Sequence, residues 1–178
     1  MTFFLRLTDR PRYELRRLTL ELCRICSLVP AATFTKDRFA AFSMDINAAR
    51  PLMKRAGANA CDLLAGLESS GACLEKVFLD MRVHSTAPDE NVRETLSLIA
   101  AALKRQAEFI RRPSDKTPLA ASAQNTALAS RNMTLARRAS AADPQDFIAN
   151  LKFSRIYSGL ETVIRAVEDY AALLAMNL

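Results

Sequence analysis

From Ala149 to Leu174 the apolar positions Ala149, Phe153, Ile156, Leu160, Val163, Val167, Tyr170 and Leu174 alternate steps of four and three without a break. Only an α-helix brings such positions onto one face, and a stripe this long needs another long helix to cover it. A second stripe, Val92, Leu96, Ile99, Leu103 and Ile110, keeps the same spacing, with Gln106 as its one polar member. Steps of three and four predict nearly antiparallel bundle packing.

The remaining chain repeats the helical pattern in shorter pieces. Leu15, Leu18, Leu22, Ile25 and Val29 predict a first helix from about Arg12 to Leu28, with Pro11 just outside it and Pro30 ending it. A second helix is expected from a Thr35 cap, with Phe39 and Phe42 pointing inward and Pro51 interrupting it. The helical pattern then resumes through Leu52, Ala56, Ala60 and Leu63 to about Leu67. Glu68-Ser69-Ser70-Gly71 reads as a turn before a short helix through Leu74, Val77, Phe78 and Met81. Ser85-Thr86-Ala87-Pro88-Asp89-Glu90 has the hydroxyl cap, early proline and first-turn carboxylates of a helix start. Leu119 to Ala142 is helical by propensity but has few large apolar residues, which predicts an exposed helix, and Asp143-Pro144 caps the last one. Strand-like alternation and internal repeats are absent. The expected fold is an all-α antiparallel bundle of five to seven helices, with residues 1–178 forming one domain.

Composition narrows the function classes. Apolar runs such as Leu98 to Leu103 are far below the ~20 residues that cross a bilayer. Arg6, Asp9, Arg10 and Pro11 follow Phe3, Phe4 and Leu5 too closely for a secretory signal, so a cytoplasmic location is expected. Cys23, Cys26, Cys61 and Cys73 then read as reduced thiols. Cys23-Arg24-Ile25-Cys26 is a C-x-x-C, but it falls within a helix and has no second pair to complete a zinc site. His84 is the only histidine; paired with Cys73 or a serine it would serve a nucleophilic enzyme, and alone it reads as a cap-side residue. Phosphate-binding loops, dinucleotide fingerprints and metal motifs are missing, so no cofactor is expected and the reading is non-catalytic.

Charge is the one functional signal. Of the net +6, residues 1–30 hold six Arg against three acids, and residues 97–142 hold eight basic against two acidic side chains. Lys104, Arg105, Arg111, Arg112, Lys116, Arg131, Arg137 and Arg138 would form one electropositive surface if the two helices bearing them are hairpin neighbours. Such a surface suits a protein partner, an anionic membrane or a homo-oligomer. The lack of aromatic interleaving argues against nucleic acid.

The segment Leu160-Glu161-Thr162-Val163-Ile164-Arg165-Ala166-Val167-Glu168-Asp169-Tyr170 resembles the closing helix of PhoU-like phosphate-transport regulators, cytoplasmic helical bundles that relay phosphate status. The resemblance implies a bundle and makes Glu161, Glu168 and Asp169 candidate metal carboxylates. Arg165 stands where the family's metal motif has Asp. A similar helical domain also forms the soluble part of some membrane transporters, including exporters of the fusaric-acid-resistance type.

Overall fold

A computed structural model of the chain describes residues 9–28, 36–142 and 147–178. The expected caps at Thr35 and Asp143-Pro144, and the amino-terminal Phe3, Phe4 and Leu5, lie outside the described residues. Among those described there are six helices and no strand: α1 (Asp9–Ser27), α2 (Lys36–Ala56), α3 (Ala58–Val83), α4 (Glu90–Arg111), α5 (Thr117–Ala142) and α6 (Phe147–Asn177). Each runs against the helix before it, so the bundle alternates up and down. No helix of the described residues is long and apolar enough to cross a membrane.

The two stripes are buried as the spacing requires. Ile156, Leu160, Val163, Val167, Tyr170 and Leu174 of α6 and Val92, Leu96, Ile99, Leu103 and Ile110 of α4 are almost fully enclosed. Residues of all six helices join them in one core cluster. α6 packs most closely on α3, in a constant antiparallel register. The Ser70 hydroxyl donates to the Ala166 carbonyl at 3.1 Å, and Arg155 reaches Asp80 at 3.2 Å. Gly159 lies under Val77, and Gly66 lies under Tyr170 and Leu173. An added Cβ at Gly159 would stand 2.8 Å from Val77 Cγ2, so these glycines are what let the two helices approach.

Four local expectations are corrected. The stretch Glu68 to Gly71 is not a turn but the middle of α3. Ser70 satisfies its hydroxyl on the Gly66 carbonyl as well as on Ala166, and Gly71 receives the edge of the Phe42 ring. These turn-favouring residues were chosen by tertiary packing. Pro51 does not interrupt α2, which continues through it to Ala56. Burial of Ala49 and Met53 on either side holds the helix together. The break falls instead at Gly57, whose φ of 111° is open to glycine alone, making it a one-residue hinge into α3. Pro11 lies inside the first turn of α1 and is buried; there its missing N–H costs nothing. The cap of α4 is Asp89, which accepts from the Val92 amide at 2.7 Å, and not the Ser85 or Thr86 hydroxyl.

Gly71→Ala tests whether packing outweighs helix propensity. Removing a helical glycine ordinarily gains about 1 kcal/mol. Here the new Cβ would meet the buried Phe42 ring at 2.6 Å, and overpacking of that kind costs about 1–3 kcal/mol. Urea unfolding should show a net loss of about 1–2 kcal/mol, partly recovered when Phe42→Leu is added. A Gly71→Ala variant more stable than the parent chain would contradict this packing.

Candidate basic seam between α1 and α4

α1 lies against α4 in an orientation set by two polar contacts. The Cys23 thiol donates to the Ala100 carbonyl at 3.2 Å. Four residues earlier in α1, Thr19 bonds the Tyr170 hydroxyl at 2.9 Å. Tyr170 follows Val167, whose carbonyl accepts from Gln106 of α4 at 3.0 Å. Moving back along α1 therefore means moving forward along α4. At equal rise this antiparallel register sets Arg16 level with Ala107 and Arg12 level with Arg111.

The outer edge of this contact is a seam of cations. Arg12, Arg16 and Cys23 share one face of α1 by their spacing, and Ala100, Lys104, Ala107 and Arg111 share one face of α4. Ala100 and Ala107 are buried in the contact, while Lys104 and Arg111 on the same face are exposed. Lys104 stands close enough to Cys23 to favour its thiolate electrostatically. The seam thus joins the two basic regions of the sequence, residues 1–30 and 97–142, which the chain itself holds far apart.

Local carboxylates are already engaged elsewhere. Glu14 pairs with Arg17 at 2.7 Å, Glu21 with Arg24 at 3.0 Å and Glu108 with Arg105 at 2.8 Å. Among the described residues, Arg16, Lys104, Arg111 and Arg112 make no ion pair. Arg16 is the informative member: its Nε is buried and has no hydrogen-bond partner. A buried donor without an acceptor costs about 1–3 kcal/mol, and none of the neighbouring carboxylates is hydrogen-bonded to it.

The seam differs from the surface expected from sequence. α4 and α5 do form a hairpin, but its register keeps the basic residues apart. Gln106 Nε2 donates to Ser122 Oγ at 3.1 Å and Asn132 Nδ2 to Thr95 Oγ1 at 2.9 Å. That register puts Arg138 level with the first turn of α4, roughly 20–30 Å along the axis from Lys104 and Arg111. Lys104, Arg105, Arg111 and Arg112 therefore form one group, and Arg131, Arg137 and Arg138 another. Arg12 and Arg16 are the members that sequence reasoning missed. The charge of the first thirty residues signalled them, but no local pattern placed α1 against α4.

The other candidates resolve into structural roles. His84 is the C-cap of α3, closed by bonds from Ser85 N to Arg82 O and from Thr86 N to Met81 O. Its carbonyl accepts from Lys152 Nζ at 3.4 Å. Cys73 sits on the same helix eleven positions earlier, ~16 Å away by helical rise, so the two form no catalytic pair. Glu161 is held by Arg137 at 2.9 Å, and Glu168 and Asp169 are exposed. Among the described residues no three His, Cys, Asp or Glu side chains gather as a metal site would require. Comparison of the chain with known protein families, curated proteins and solved structures finds no match.

The C-x-x-C thiols lie on the core side of α1. Burial pushes the Cys26 thiol far up, with Cys23 adding to the effect. Burial also raises Cys23, against the pull of Lys104 and Arg24. Thiol titration of the native protein at pH 8 should leave Cys26 unmodified until denaturant is added, with Cys23 reacting more slowly than a free thiol. Rapid modification of either residue in the folded state would contradict this placement.

Proposed function

We propose that the protein is a non-catalytic helical adaptor or regulator that docks an acidic segment of a protein partner along the α1–α4 seam. The reading rests on one observation: Arg16, Lys104 and Arg111, which make no ion pair among the described residues, line a seam where Glu14, Glu21 and Glu108 are paired with other guanidinium groups. The exposed ends of these cations are open to an anionic partner. Carboxylates spaced along a peptide match cations spaced by helical turns, and arginine forks bind carboxylates in two-pronged geometry.

The chemistry of the seam favours a protein over other polyanions. Among the described residues no large aliphatic side chain stands exposed beside the cations to enter a lipid layer; Leu20 is half-buried, and Tyr13 is the one exposed aromatic on α1. A single tyrosine gives no platform for stacking successive bases.

Fluorescence anisotropy with a labelled oligoglutamate peptide tests the reading. Lys104 and Arg111 are exposed, so Lys104→Gln with Arg111→Gln should leave folding intact while weakening binding about tenfold, equivalent to about 1.4 kcal/mol. Arg16→Gln should weaken it as well, and Arg131→Gln on α5 should not. Rising salt should reduce affinity, with a smaller slope in the double variant. Equal loss from Arg131→Gln, or stronger binding to duplex DNA or phosphatidylserine vesicles than to the peptide, would overturn the proposal.

A further inference from the structure

At the far end of the bundle from the seam, a cleft of about 450 Å³ between α5 and α6 is lined by Thr134, Arg137, Arg138, Ala141, Ser154 and Glu161. The size suits a small organic molecule. Arg137 Nη1 donates to both carboxylate oxygens of Glu161, at 2.9 and 3.2 Å. The Glu161 side chain is only 19% exposed, so this pair forms a fixed wall and is neutral as a unit. Arg138, one residue on, lines the same cleft and makes no hydrogen bond or ion pair among the described residues. Ser154 adds a hydroxyl, that of Thr134 being donated to the Ser130 carbonyl at 3.0 Å, while Ala141 and the Arg stems supply apolar surface.

We propose that this cleft binds a small organic carboxylate, with the Arg138 guanidinium taking the carboxylate, the Ser154 hydroxyl donating to one of its oxygens, and Ala141 flanking its apolar body. Charge selects the class. With Arg137 and Glu161 cancelling, the described lining carries one uncompensated positive charge, which one carboxylate neutralises. A phosphate dianion would keep a negative charge beside Glu161. The planar fork of Arg138 matches a carboxylate in a way that a lysine ammonium does not. The site shares no residue with the α1–α4 seam, and it stands or falls independently of partner docking there.

Benzoate is the probe, followed by isothermal titration and by thermal shift on the full chain, with inorganic phosphate and benzyl alcohol alongside. Benzoate should bind saturably at millimolar concentration and raise the Tm, and the other two should do neither. Arg138→Ala, which removes no intramolecular bond, should keep the parent Tm without ligand and weaken benzoate at least ~10-fold. Arg138→Lys should restore part of that loss. Glu161→Gln removes the one carboxylate and frees Arg137, so it should tighten benzoate and admit phosphate. Arg16→Gln should change nothing. Absence of saturable benzoate binding, equal affinity in Arg138→Ala, or phosphate binding as well as benzoate in the parent chain would overturn the proposal.

Discussion

The Tyr170 side chain ties the bundle together. Its ring, with the Leu173 side chain, occupies the space left by Gly66 on α3, it is fully buried, and its hydroxyl meets Thr19 of α1 at 2.9 Å. A phenol in an apolar interior needs a hydrogen-bond partner, since an unmet one costs about 1–3 kcal/mol. Thr19 can supply it only if α1 stops at one height along α6. Burial holds the phenol protonated well above its ordinary range, so the contact persists across the physiological pH range. One side chain thereby sets the spacing of α3 from α6 and the height of α1.

Other buried polar groups fix the remaining helices in the same manner. Gln106 donates to Ser122 and to the Val167 carbonyl, joining α4, α5 and α6 at one level. Asn132 bridges α5 to Thr95 and to the Asn91 carbonyl. At the opposite end Asp89 caps α4 with one oxygen and accepts the Tyr157 hydroxyl with the other. Aliphatic stripes supply the drive to associate but slide past one another at little cost. The polar contacts choose a single register, and that register decides which surface charges become neighbours.

The long stripes of α4 and α6 were legible because period and length together admit only a helix against a helix. Glu68 to Gly71 and Pro51 were misleading for a shared reason: serine, glycine and proline have strong local meanings that tertiary contacts override. Ser70 and Gly71 make room and bonds for α6 and Phe42, neither of which is near in sequence. Gly57 was the opposite case, an inconspicuous residue whose positive φ divides α2 from α3. For the site, sequence identified the basic character of α4 and α5 but not its distribution. Hairpin adjacency is a local property, whereas the pairing of Arg16 with the α4 face depends on contacts 77 positions apart, between Cys23 and Ala100.

The functional reading therefore depends on α1 running antiparallel to α4. Spin labels at Arg10 and Arg112, both exposed, with the native cysteines replaced, measure that orientation directly by inter-spin distance. The antiparallel register predicts backbones about one helix spacing apart, ~10 Å before the label arms are added. A parallel α1 anchored at the same Cys23 contact would separate the labels by ~37 Å along the axis, and a distance in that range would contradict the account.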